Sequence, residues 1–422
     1  MSVTNLDTPV TDGGLHRTNW FNGRILSRED LQRDREAERA IHLRLGTAQG
    51  SGIAFGLEVA ADAIGGSSLT APTVTVSPGL AINRCGQTIA LDTPVQVSLL
   101  QPSQPLPPTA IQAGAFGACS PPDEGVFVTG SGVYLLSIAP AQVKQGLAIV
   151  SGLGNAASAC NVKEVVEGVQ FHLAQVSALS SAELGDDAHL RNVAAYKFFA
   201  ADGFGTNAVR DPFGVSPQPQ KLTVEPLGDD EVPLALLNWT DTGGLRWVDL
   251  WSVRRRLSRP TGPLVEGARQ AANAEAVFEQ FFEQIDSMRG SGTSTVKAID
   301  NFSFLPPAGM LPLGGIAGAS GFDTATFLSG FTTRGPLFIE GTRVQPLLQL
   351  AASCPPIKVG DPELVWLYLV RENRQPVQGV AAAQPYLVFA LGRLPYMAWP
   401  RFDVSHWDYA NYPLAGGLVT GV

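Results

Sequence analysis

The sequence predicts a mainly β protein of the α+β class, built from antiparallel β domains with an N-terminal helix and a central amphipathic helix. Three observations lead there. Gly (45) and Pro (31) together approach a fifth of the 422 residues while only 16% of residues are charged, a balance that favours turns and short strands. Period-two alternations bounded by Gly and Pro recur in both halves of the chain. Spacing of three and four appears in only two stretches, one near the N-terminus and one past the middle. With 45% hydrophobic residues the chain can bury more than one core, so at least two domains are expected.

The first region, 1–60, reads as a docking helix and a strand. After a polar start come Trp20, Phe21, Ile25 and Leu26, and then Ser27-Arg28-Glu29-Asp30, an N-cap followed by acidic residues in the first turn. A helix over 28–45 follows, its apolar stripe thin (Leu31, Ala37, Ile41, Leu45) among Arg, Glu, Asp and Gln. Such a helix needs a partner surface, so Phe21, Leu31 and Ile41 are candidate assembly residues. Gly46 to Gly52 ends it, and 53–59 reads as a strand.

The second region, 61–260, is a β-rich central domain. Thr73-Val74-Thr75-Val76, Leu80-Ala81-Ile82 and Ile89-Ala90-Leu91 form a small antiparallel unit about the Pro78-Gly79 turn. The Pro/Ala/Gly-rich stretch 101–125 reads as a surface loop. Strands follow at 133–139, 168–174 and 232–238, and Trp247 to Trp251 leads into Arg254, Arg255, Arg256 and Arg259, a basic stretch of helical character read as a solvated or interface face.

The third region, 261–290, is the clearest amphipathic helix. Leu264, Ala268, Ala271, Ala274, Phe278, Phe281, Ile285 and Met288 keep three- and four-residue spacing, with Phe282 beside the stripe. Its Phe-rich end must be buried, either within the subunit or at a symmetry axis, which makes Phe278, Phe281 and Phe282 candidate assembly residues. The fourth region, 291–422, reads as a C-terminal β domain with strands at 336–339, 364–371 and 385–390.

A net charge of −9 gives little general attraction to phosphate backbones or anionic lipid, so no nucleic-acid partner is expected. No run of about eighteen apolar residues and no signal peptide are found, so synthesis in the cytoplasm without membrane insertion is expected. Cys85, Cys119, Cys160 and Cys354 form no CxxC pair, and only Cys119 and Cys160 could approach one another across a loop. The five histidines make neither HExxH nor any pair at metal-ligand spacing, and no metal or cofactor is expected. Gly314 to Gly321 lacks the Lys of a phosphate-binding loop and reads as a plain loop.

The most site-like segment is Phe402-Asp403-Val404-Ser405-His406-Trp407-Asp408. As an enzyme it would be an envelope-degrading hydrolase using Asp403, His406 and Asp408, but a catalytic triad is recognised by geometry, not adjacency. Aromatic residues also concentrate towards the C-terminus, and Trp399, His406 and Trp407 are the candidate ligand surface for a cell-surface glycan.

Several stretches together resemble a known group. Phe21-Asn22-Gly23-Arg24-Ile25-Leu26-Ser27-Arg28-Glu29-Asp30-Leu31, Gly56-Leu57-Glu58-Val59, Val74 to Ile82 with Gly86 and Ile89, Glu167 to Phe171, Asp249 to Arg255 and Phe304 to Pro312 carry the likeness. They resemble the N-terminal region of proteins found with phage-tail and extracellular contractile injection system components. The resemblance implies a non-enzymatic subunit of a baseplate or tail fibre, assembled with other tail subunits in threefold or sixfold symmetry. Closed homo-oligomers are the base-rate expectation, with a trimer as first reading and a hexamer as second. The alternative is a receptor- or glycan-binding module displayed on such a particle.

Overall fold

The computed structural model describes residues 7, 10–11, 13–70, 72–100, 128–147, 162–204, 227–258, 268–289, 295–314, 321–371 and 386–394. The described chain is α+β and mainly β, as the composition predicts. It opens with helix α1 (Arg28–Gln49), then β1 (Gly52–Gly56), β2 (Val59–Ala61), β3 (Thr73–Val76), β4 (Gly79–Ile82), β5 (Thr88–Leu91) and β6 (Val95–Ser98). These strands form two three-stranded antiparallel sheets, β1-β4-β5 and β2-β3-β6. The boundary read at residue 60 falls inside β2, whose partner β3 comes after it, so the strands on either side of it share one unit.

The larger central sheet has the order β10-β9-β7-β8, from β7 (Gly132–Leu147), β8 (Val162–Gln175), β9 (Val232–Thr240) and β10 (Gly244–Asp249). Ile53, Leu57, Val59, Val74, Val76, Tyr134, Leu136, Leu234 and Leu237 make one core between the small sheets and this one. β9 pairs with β7 only as far as Ile138, whereas β7 and β8 stay paired out to Leu147 and Val162. The outer part of the hairpin is therefore a two-stranded ribbon, and Val143 and Val166, directly opposed on it, are both exposed.

Two short-range signals in the sequence mark helices that its hydrophobic spacing does not reveal. Ser180 and Glu183 form a capping box on α2 (Ser181–Leu184), and Asp186 caps α3 (Asp187–Ala201). α3 buries residues on nearly all sides, Leu190, Arg191, Asn192, Ala194, Ala195, Tyr196, Phe198 and Phe199 among them, so it shows no amphipathic stripe. Asp186 and Asp187 thus form a helix start.

The C-terminal region packs α4 (Ala268–Met288), α5 (Thr324–Phe327) and α6 (Val344–Ala351) with β11 (Phe304–Leu305), β12 (Ala308–Pro312), β13 (Thr332–Glu340), β14 (Ile357–Lys358), β15 (Leu364–Arg371) and β16 (Tyr386–Leu391). Its main sheet has the order β12-β16-β15-β13, and the β13–β15 pair is parallel. All the other strand pairings among the described residues are antiparallel, as the sequence predicts. A parallel pair needs a crossover, and α6, absent from the sequence reading, lies within it.

α4 joins the two halves. Phe281 is 1% exposed and stacks edge-on against Phe389 and at a tilt against Phe302, inside the C-terminal core. Ala276 and Val277 pack with Tyr196 and Phe199 of α3. The third face, with Gln280, Glu283, Gln284 and Ser287, meets a buried charge node. Asp249, fully buried at the end of β10, accepts from Arg191 Nε at 2.7 Å, Gln280 Nε2 at 3.0 Å, Ser252 N at 2.9 Å and Ser252 Oγ at 2.5 Å. Arg191 Nη2 also stands 3.0 Å from Glu283 Oε1, so one guanidinium serves two carboxylates.

Burial, with the Asp249 carboxylate beside it, pushes the Glu283 carboxyl up to about 7 against the pull of Arg191. A carboxyl raised in the folded state holds its proton where the unfolded chain has lost it. Stability therefore falls as pH rises from the unfolded value, about 4.3, through 7. Glu283→Gln is expected to raise the thermal midpoint at pH 8, with the gain vanishing near pH 4; calorimetry across that range checks it.

Among the described residues no helix is long and apolar enough to cross a membrane, a statement that leaves strand-crossing barrels aside. Cys85 is exposed and Cys354 buried, while Cys119, Cys160 and the 101–125 loop lie outside the described residues.

Candidate assembly surface

The resemblance segments meet in the fold, and they meet as structure. Gly46 near the end of α1 lies directly on the Gly86 backbone, so closely that a side chain at Gly46 would collide with Gly86 and one at Gly86 would collide with Leu43 and Thr47 of α1. Leu57 takes a left-handed backbone (φ 57°), and Arg254 secures that turn by donating to the carbonyls of Leu57 at 2.8 Å and Gly56 at 2.5 Å. Asn192 clamps β11 by accepting from Ser303 N and Phe304 N, both at 2.9 Å. The basic cluster is thereby reassigned in part. Arg254 is buried and Arg255 pairs with Asp202 at 2.7 Å, so these two charges hold the subunit together, while Arg256 is exposed beside Glu275 at 2.8 Å as a solvated face and Arg259 lies outside the described residues.

α1 itself is held differently. It buries only Asp30, Ala37 and Gly46, and the chain ahead of it lies along one side as a strap. Arg44 reaches the Gly13 carbonyl at 3.2 Å, and Thr18 N and Trp20 Nε1 donate to the Asp34 carboxylate at 2.7 and 2.8 Å. Thr18 Oγ1 reaches the Asp30 carbonyl at 3.0 Å, and Ser27 caps the helix by accepting from Asp30 N at 3.1 Å. Arg24 closes the arrangement with Asp30 at 2.6 Å, and its guanidinium lies over the rings of Trp20 and Phe21 at 5.7 and 5.9 Å.

Thr18 and Arg24 of the strap turn inwards onto α1, while its large apolar side chains stand outwards beside exposed His16, Arg17, Asn19 and Asn22. Trp20 is 49% exposed, Phe21 62%, Leu26 60% and Ile25 87%, and Leu31 on the first turns of α1 is exposed beside them. Ile41 is half-buried. A cluster of aromatic and aliphatic side chains held rigidly with an Arg has the composition of an interface centre. Scattered exposed apolar residues need no explanation, but contiguous ones do.

The Arg24 hydrogen bond holds the Asp30 carboxyl below its ordinary range, and the Thr18 N–H does the same for Asp34. A carboxylate depressed in the folded state stabilises above its unfolded pKa, about 3.9, and loses that contribution as pH falls through its folded one. The strap is expected to stay docked at neutral pH and to loosen below about pH 4. A change in Trp20 emission in that window, absent in a Trp20→Phe chain, checks this.

No family model matches the chain. No curated protein matches it. Among solved structures it is similar to one titled "Crystal structure of TssK", at 8% identity and a TM-score of 0.18, over 48% of this chain and 50% of that one. The chain thus spans half the length of that structure, and a likeness at this level carries no argument.

Of the other sequence-predicted residues, Phe281 is core and unavailable to a partner, so of the two burial sites open to it the structure takes the one within the subunit. Phe278 packs half-buried on the same core, and Phe282 is half-buried. Trp399, His406 and Trp407, with Asp403 and Asp408, lie outside the described residues. His172 sits on β8 with Nδ1 2.7 Å from Glu231 Oε1, and Ser137 Oγ donates to the same carboxylate at 3.2 Å. The Glu231 carboxylate thus bonds to both Ser137 and His172, and the trio staples β7 and β8 to the turn before β9. Strap residues Trp20, Ile25 and Leu26 are additions to the interface set. Their signal in the sequence is a run of large apolar residues just before a charged helix.

Proposed function

We propose that the chain is a structural, non-enzymatic subunit of a contractile tail-like particle, in the baseplate or as a tail-fibre adaptor, and that it acts through subunit assembly. The observation that carries this reading is the N-terminal strap. Asp34 and Arg24 fix Trp20 and Phe21 in an outward position next to exposed Ile25 and Leu26, where water is a poor partner for them. The sequence resemblance to tail and injection-system proteins supplies the kind of assembly.

The occupant we assign to the patch is a neighbouring copy of the same chain in a closed ring, a trimer first and a hexamer second. The ribbon formed by the outer parts of β7 and β8, with Val143 and Val166 exposed, supplies a second projecting element for other tail subunits. Synthesis in the cytoplasm followed by incorporation into the particle completes the proposal.

The test is particle membership. Tail-like particles purified from the source cell are expected to contain this chain by peptide mass spectrometry and to bind antibody against it at a fixed place in negative-stain images. Particles that lack it, from cells that make it, would overturn the proposal.

A further inference from the structure

Asn238 and Trp247 are directly opposed on β9 and β10, so their side chains share one face of the central sheet. Trp247 packs half-buried against the core that α3 shares, and the packing beside it is incomplete. A half-open cleft of about 320 Å³ lies there, lined by Asn238, Trp247 and Arg246 from the sheet, Asp187 from the first turn of α3, and Ile64 and Gly65 from the loop after β2. The volume is at the lower end for small-molecule sites, which run from about 300 to 1,000 Å³.

One buried donor beside the cleft has unused capacity. Asn238 is 2% exposed, and the indole Nε1 of Trp247 is buried with no hydrogen-bond partner among the described residues. Buried donors are nearly always satisfied, so one left open beside a cleft points to water or a ligand. Arg246 Nη2 and Asp187 Oδ2 face each other at 3.9 Å, beyond hydrogen-bond distance, with 46% and 61% of their side chains exposed.

The distribution of charge selects the ligand. The two charged groups cancel and stand at the mouth, which disfavours a simple anion or cation. The floor is neutral, a carboxamide that both donates and accepts and an indole that donates. Ile64 and the Trp247 ring supply apolar wall. A ligand that both donates and accepts at several neighbouring atoms, is uncharged and has an apolar edge fits this set. We propose that the cleft binds a neutral, hydroxyl-rich ring of monosaccharide size, its hydroxyls shared between Asp187 and Arg246 at the rim and Asn238 at the floor. None of the lining residues belongs to the N-terminal strap, and the proposal holds whether or not the chain assembles into a particle.

The experiment is saturation-transfer NMR on the full chain with methyl β-D-glucopyranoside, methyl β-D-galactopyranoside and N-acetylglucosamine as probes and glycine as the rival zwitterion. Transfer to at least one sugar is expected, falling about tenfold in Asp187→Ala and in Arg246→Ala, each of which removes one charge-assisted hydrogen bond. Both residues are exposed enough for the fold to persist, and unchanged circular dichroism verifies it. A longer oligosaccharide ending in the same sugar separates a free monosaccharide from a glycan terminus: equal or tighter binding assigns the terminus, loss of binding the free sugar. No transfer to any sugar, transfer undiminished in both variants, or displacement of the sugar by equimolar glycine would overturn the assignment.

Discussion

Replacing Asp249 with alanine is expected to destabilise the protein by about 3–5 kcal/mol, the penalty for breaking a buried ion pair and leaving one partner uncompensated. Asp249 is fully buried and takes hydrogen bonds from Arg191, Gln280 and Ser252, which belong to α3, α4 and the turn after β10. Without it, Arg191 keeps Glu283 and a hydrogen bond from Nη1 to Ser287 Oγ at 3.3 Å, and burial still pushes the Glu283 carboxyl upwards although the Asp249 charge no longer does. The guanidinium would then stay charged, nearly enclosed and half-paired. The thermal midpoint should fall by roughly 6–20 °C, at two to four degrees per kcal/mol for a domain of this size. Asp286→Ala, which removes an exposed pair with Arg289, should stay within about 0.5 kcal/mol. A midpoint for Asp249→Ala matching that control would remove the node from the account of how the two halves are joined.

Much of the fold is legible in the sequence because local rules and burial agree. β3, β4, β5, β9, β15 and β16 follow period-two or continuous apolar runs, and the Ser27 cap and Phe-rich α4 follow helix rules. The failures have physical causes. α3 is buried on most sides and so carries no stripe, although its Asp186 cap and the Ser180–Glu183 box of α2 before it were readable. The parallel β13–β15 pair depends on a crossover that no strand pattern encodes. Arg254 and Arg255 look like part of a solvated patch because sequence cannot show that two carbonyls and Asp202 meet them.

The candidate surface was legible only in part. A thin stripe on a highly charged helix indicated a docking element, and Phe21 and Leu31 were readable from it. The decisive feature is the strap's inward-turned polar side, in which Asp34 holds both Thr18 and Trp20 from fourteen or more residues away. That pairing leaves no periodic trace in the sequence. It also changes the meaning of Phe281, whose stripe looks as fit for an interface as the strap but is consumed by Phe302 and Phe389.

The second large effect concerns association. In Phe21→Ser/Ile25→Ser/Leu26→Ser the fold should be intact, because these side chains are 62%, 87% and 60% exposed in the single subunit and surface substitutions cost about 0.5 kcal/mol or less. Assembly should be lost, because anchors at the centre of an interface carry about 2 kcal/mol or more each. The most direct measurement is the solution mass of parent and variant by light scattering over a range of concentrations. The account predicts a parent trimer or hexamer and a folded monomeric variant. A monomeric parent, or a variant with the parent's mass, would contradict it.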